Sequence, residues 1–288
     1  INPLGRNIRH PRYPGKKIVM NLTMDKTFQI SEKIKTNLIK HGLRSLSFLV
    51  FLALWQWFGS RPDMFALAPP SKVFPALLES ISSGDLLEAA SGTLYTMIVG
   101  YVLAVLMGVV IGFTLAVSVW AKNTIEPLVN AAYSAPMAML IPILGVYIGL
   151  EFRGRLFLVV IWAIFVIIIN TSTGVREVPS SLIEMARSFG MKRQDIYRKV
   201  IFPSALPYVL VGLRLGAGRA LRGAVTAEIL MSVTNLGRFL IDSGSTFQMD
   251  RLLAGIVLVV LLGLIIIQGA EYLERKILAW RHMAESWS

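Results

Sequence analysis

The chain has 288 residues, of which 55% are hydrophobic and 16% charged, with a mean hydropathy of +0.62. Soluble domains carry about 25% charged residues, so this composition points to a membrane protein. The net charge of +12 is concentrated in an N-terminal arm (1–42), a polar loop (176–203) and the C-terminal tail. No sizeable soluble fold carries it, which argues against nucleic-acid binding. Cysteine is absent and the three histidines lie near the chain ends, which excludes disulfides, thiolate metal sites and a histidine-based metal constellation.

Residues 1–42 read as a basic cytoplasmic arm. Ile30, Ile34 and Leu38 recur among lysines there, which suits a helix lying on an anionic leaflet or an ordinary solvated lead-in. No small-residue cleavage site follows the first apolar run, so that run is expected to remain as an anchor.

A bilayer core about 30 Å thick needs roughly 20 apolar residues of helix. Six stretches are expected to span it: about 43–59, 93–118, 125–149, 156–174, 204–224 and 252–272. The expected fold is therefore an all-α membrane protein with six transmembrane helices in a domain of 43–280, followed by a tail of 281–288. The distribution of Lys and Arg places both termini and the 176–203 loop in the cytoplasm. Gly108 with Gly112, and Gly212 with Gly216, have the G-x-x-x-G spacing of closely packed helices. Pro127, Pro136 and Pro142 predict bends in the third stretch.

The loop 179–203, PSSLIEMARSFGMKRQDIYRKVIFP, reads as folded. Ser181 and Glu184 have capping-box spacing, and Gly190 sits where a helix end favours a left-handed residue. Leu182, Ile183, Met185 and Phe189 give the short helix an apolar stripe. A second helix, with Asp195 near its start, is expected to stop before Pro203. From pattern alone the stripe either folds back on its own bundle or fills a partner's groove.

This loop resembles the cytoplasmic signature of the inner-membrane permeases of binding-protein-dependent ATP-binding-cassette (ABC) importers. That signature runs Glu-Ala-Ala, three residues, Gly, nine residues, then hydrophobic-x-hydrophobic-Pro. Glu184, Ala186, Gly190, Val200, Phe202 and Pro203 fall on it, with Met185 in place of the first alanine. The runs VREVPSSLIEMARSFG, PMAMLIP and VGLRLGAGRAL…AEIL are most similar to the nitrate/sulfonate/taurine branch.

The resemblance implies a type I importer permease bundle. Its loop would be a coupling helix seated on an ATPase subunit, with Glu184, Met185, Ala186, Arg187, Gly190, Phe202 and Pro203 shaping or making the contact. It further implies two ATPase subunits, a second permease copy as a homodimer, and an extracytoplasmic binding protein that touches loops 60–90 and 225–250. ATP and Mg would be bound by the ATPase; no cofactor is expected in this chain. No enzyme activity is expected either, since the sequence has no phosphate-cradling G-x-x-x-x-G-K-[ST] loop and no H-E-x-x-H pair.

In the fifth stretch, Arg214, Arg219 and Arg222 fall within an arc of about 140° and predict a basic path for an anion such as a sulfonate, nitrate or bicarbonate, with Asn170 as a further candidate. Pairing with Glu228, Asp242 or lipid phosphates, or snorkelling to an interface, is the structural alternative. Three functional alternatives remain at this point. An ion-gradient-driven secondary transporter would call for acidic residues or histidine within spans and for internal repeats. A scaffold would not need the loop spacing. An ABC permease for a heterocyclic vitamin or its precursor would share the fold.

Overall fold

The computed structural model describes residues 42–61, 67–232 and 234–279, and every regular element among them is helical. The amphipathic stretch 30–38 and the tail 281–288 lie outside the described residues.

Two units are distinguished. In the first, α1 is helical over 42–59. The second comprises α2 (Pro70–Ser82), α3 (Asp85–Val117), α4 (Val119–Thr124), α5 (Glu126–Ser134), a 3₁₀ turn (Met137–Leu140), α6 (Ile141–Tyr147), α7 (Phe152–Arg176), α8 (Ser180–Ser188), α9 (Arg193–Ile196), α10 (Phe202–Ala227), α11 (Asn235–Ser245) and α12 (Met249–Ile277). Among the described residues, four helical stretches are long and apolar enough to cross a membrane: Asp85–Val117, Phe152–Arg176, Arg193–Met231 and Met249–Ile277. The bent pair Val119–Ser134 and Met137–Ile148 makes five if counted as one span. Six were expected from sequence; by length and apolarity four or five are identified among the described residues.

α7 is the central helix, packed along α3 on one side and α10 on the other. Between helices in lipid there is little hydrophobic drive, so close backbone approach through small residues takes its place. Both glycine pairs supply it. A Cβ at Gly112 would lie 2.6 Å from the Ile168 carbonyl oxygen, and one at Gly108 2.9 Å from Ile167 Cγ2. On α10, a Cβ at Gly212 would meet Asn170 Cβ at 2.7 Å, and one at Gly216 would meet the Ile167 side chain at 2.9 Å. Ile167 is fully buried between the two glycine faces. By contrast α12 buries only Ala254 and Gly255 and leaves most of its apolar surface outward.

Two expectations are corrected. The third stretch is not one helix but a pair bent by 95°. Pro127 and Pro142 sit in the first turns of α5 and α6, where a missing N–H costs nothing, and Pro136 lies at the break. The helix after Gly190 does not stop before Pro203. It runs from Arg193 to Met231 through a π-turn at Tyr197–Ile201, in which the Phe202 N–H reaches the Tyr197 carbonyl. That wider turn precedes the proline, which enters α10 in its first turn. Between the end of α10 and the start of α12, segment 225–250 holds a π-turn (Glu228–Ser232) and the helix α11. Gly237 lies inside that helix and serves close contact, because a Cβ there would lie 2.5 Å from the Glu228 carbonyl carbon.

Candidate functional site: a two-faced loop helix and a basic cavity

α8 starts two residues earlier than its sequence suggests. Pro179 is the N-cap, extended at φ −55° and ψ 129°, and the Leu182 N–H donates to its carbonyl at 3.1 Å. Ser181 is therefore already helical, no side chain caps the end, and the Ser181–Glu184 capping box does not form. The other end closes as expected. Gly190 takes φ +72°, the Gly190 N–H donates to the Arg187 carbonyl at 2.9 Å, and the Met191 N–H donates to the Ala186 carbonyl at 3.1 Å. This is a Schellman closure, and Met191 packs against the cluster that holds Ala186, as such closures favour.

The apolar stripe splits in two. Ile183 and Ala186 face the protein's own cluster of Val178, Ile196 and Ile201. Leu182, Met185 and Phe189 occupy a second face and are 39%, 56% and 80% exposed. Glu184 and Arg187 are exposed beside them. Phe202 is exposed and Pro203 half-buried at the start of α10, after Asp195 in the first turn of α9. A helix of nine residues is marginal alone. Here one apolar face anchors it and the other stays open.

The arginines of α10 divide. Arg214 pairs with Glu274 of α12 at 3.1 Å, so it joins two helices. Asn170 donates to the Val166 carbonyl of its own helix at 2.8 Å and packs near Gly212. Neither lines the cavity that holds the other two. Arg219 and Arg222 open onto a space of about 250 Å³ with Tyr133, Met137, Trp162 and Phe165. Arg219 Nη2 donates to Tyr133 Oη at 2.8 Å, and Arg222 Nε donates to the Gly218 carbonyl at 3.1 Å. Tyr133 and Met137 reach the cavity from the two sides of the break in the third stretch.

Sequence reasoning missed a second polar centre. Glu228, in the π-turn after α10, is fully buried. Its carboxylate accepts from Thr93 Oγ1 at 2.7 Å, Asn235 Nδ2 at 2.8 Å and the Gly237 N–H at 3.4 Å. Thr93 Oγ1 in turn accepts from the Leu236 N–H at 3.3 Å. Arg155 hydrogen-bonds Thr234 beside it. The partners are spread over 135 and more residues, so only the lone acidic residue in an apolar run could have signalled it. With both oxygens engaged by the protein itself, Glu228 clasps α3, α10 and α11 together.

A model of the binding-protein-dependent transport system inner membrane component matches residues 104–279, more than half of the chain. The chain belongs to that family. As a permease it has relatives in the branch anticipated from its loop. It is 30% identical to the putative aliphatic sulfonates transport permease protein SsuC of Bacillus subtilis, over 82% of this chain and 86% of that protein. It is 25% identical to the taurine transport system permease protein TauC of Escherichia coli, over 74% and 80%. It is 27% identical to the nitrate import permease protein NrtB of Leptolyngbya laminosa, over 77% and 82%. In fold it is similar to a chain from the inward-facing methionine ABC transporter MetNI, with a TM-score of 0.54 at 20% identity, covering 67% of this permease and 94% of that chain. The expected multi-pass, all-helical membrane permease agrees with each of these.

Proposed function

We propose that this permease is one of two identical membrane subunits of an ATP-driven importer, that α8 is its coupling helix, and that its cargo is a small anion delivered by an extracytoplasmic binding protein. On this reading α1 and the bent pair complete six spans with both termini cytoplasmic, and a separate subunit binds ATP and Mg and hydrolyses the nucleotide.

One observation carries the coupling role. The outer face of α8, Leu182, Met185 and Phe189, is apolar and open while its inner face is already packed. An amphipathic helix with spacing i, i+3, i+7 is what a hydrophobic groove accepts. The Ile183–Ala186 face and the Schellman closure tie α8 to the ends of α7 and α9, so a push on it is passed to the bundle. The anionic cargo is supported by the relatives named for sulfonates, taurine and nitrate, and by Arg219 and Arg222 on one cavity.

The test uses Met185→Ser and Phe189→Ser, which change only exposed side chains. Each variant is co-expressed with its cognate ATPase subunit. Loss of ATPase co-purification, with unchanged expression and thermal stability of the permease, is expected. Full retention together with normal uptake would remove the coupling assignment.

A further inference from the structure

The cavity at Arg219 and Arg222 names its ligand more closely than the proposed function does, and the inference rests on that reading. The two arginines lie one turn apart on a helix that spans the membrane, where each such charge costs at least about 2.5 kcal/mol unless it faces water or a counter-charge. Among the described residues neither has a carboxylate within ion-pair distance, whereas Arg214 on the same helix does. No acidic residue is among the described residues that line the cavity. Tyr133 and Gly218 take up one donor from each guanidinium, and the remaining N–H groups are left for a ligand.

Apart from Tyr133 and the two arginines, the lining is apolar. Trp162 and Phe165 come from α7, and Ala135 and Met137 from the two sides of the break. Trp162 packs closely on α10 at Gly223, where an added Cβ would lie 3.1 Å from Trp162 Cβ. At about 30 Å³ per water, the space of about 250 Å³ takes roughly eight waters. A bare oxyanion such as nitrate would leave most of it unfilled. An ammonium group on the ligand would sit beside two guanidiniums with no acid to receive it.

We infer that this cavity is a cargo subsite for an organic anion, an oxyanion head on an apolar body with no cationic group, as in an alkanesulfonate. Arg219 and Arg222 take the head, and Trp162 with Met137 takes the body. Selection against a zwitterion follows from what the lining lacks as much as from what it offers.

The experiment measures binding by titration calorimetry to the permease co-expressed with its ATPase and purified without binding protein. The probes are butanesulfonate, taurine and nitrate. Butanesulfonate is expected to bind, with taurine and nitrate at least about tenfold weaker. The pair Arg219→Gln and Arg222→Gln is expected to abolish butanesulfonate binding, and Arg219→Lys with Arg222→Lys to restore part of it. Trp162→Ala should weaken butanesulfonate and leave nitrate unchanged. Taurine or nitrate binding as tightly as butanesulfonate would overturn the inference. So would butanesulfonate binding that survives the double glutamine variant, or its absence from the wild type. ATPase retention is read in the same preparation. If the ATPase is retained and butanesulfonate does not bind, the subsite alone fails; if the wild type retains no ATPase, the importer reading fails instead.

Discussion

Arg219 and Tyr133 meet across the break in the third hydrophobic stretch. The Arg219 guanidinium carbon lies 4.7 Å from the Tyr133 ring centroid, and its Nη2 donates to the phenol oxygen at 2.8 Å. One residue thus holds the guanidinium both over an aromatic face and by its edge, which fixes where its other donors point. Tyr133→Phe keeps the ring and removes the acceptor. A hydrogen bond of this kind to a charged group is worth about 1.5–3 kcal/mol. The variant should fold normally, since Tyr133 is not in the core, and should raise the KM for uptake roughly tenfold with little change in the maximal rate. Uptake kinetics in proteoliposomes give the answer, and an unchanged KM would mean the contact does not orient Arg219.

Gly190 offers a test of the α8 closure that does not touch its exposed face. Its φ of +72° is costly for residues with a Cβ, about 1–2 kcal/mol, and least so for Asn. Nothing lies within 4 Å of a Cβ built there, so the cost is one of backbone conformation and not of space. Gly190→Ala should therefore reduce coupled uptake, while Gly190→Asn should keep most of it. Equal behaviour of the two variants would show that the left-handed turn is not what matters at this position.

How much of this was legible in the sequence depends on the range over which each signal acts. The left-handed turn at Gly190 and the close contacts at Gly108, Gly112, Gly212 and Gly216 were legible, because small residues at fixed spacing act locally or through one neighbouring helix. The capping box at Ser181 was misread because Pro179, already extended, takes the N-cap position and starts the helix early. The bend at Pro136 was foreseen as a kink but not as a 95° break, since proline frees a carbonyl without fixing the angle. Arg214 was grouped with Arg219 and Arg222 by its place on the helical wheel. Only the packing of α12 shows that Glu274 claims it. The Glu228 clasp was invisible for the same reason, as its partners Thr93 and Asn235 come from different helices.

The glycine faces packed against α7 predict a sharp contrast between two outwardly similar substitutions. At Gly112 an added Cβ would meet a backbone carbonyl oxygen of α7 at 2.6 Å, and backbone cannot rotate away. At Gly269 on α12 nothing lies within 4 Å. Overpacking of this sort costs about 1–3 kcal/mol. Gly112→Ala should lower the thermal transition in detergent by several degrees and reduce the yield of folded protein. Gly269→Ala should leave both unchanged or raise them slightly through better helix propensity. A neutral Gly112→Ala would mean that α3 and α7 are free to separate.

The last prediction concerns the Glu228 clasp, where charge and hydrogen bonding can be separated. Glu228→Ala leaves the Asn235 amide and the Gly237 N–H without their carboxylate acceptor, whereas the Thr93 hydroxyl falls back on the Ala89 carbonyl at 3.1 Å. Each orphaned group costs about 1–3 kcal/mol. Glu228→Gln keeps one carbonyl oxygen, which can still receive Thr93 and Gly237, but presents an amide nitrogen to the Asn235 amide unless Asn235 turns over. The expected order of thermal stability is wild type, then Glu228→Gln, then Glu228→Ala, with the last variant failing to assemble or melting far earlier. Thr93→Val removes one arm only and should fall near Glu228→Gln. If Glu228→Gln is instead as stable as the wild type and only uptake is lost, the carboxylate charge itself takes part in transport, and the clasp is not its whole role. Stability in detergent and uptake in proteoliposomes, measured on the same three variants, separate these outcomes.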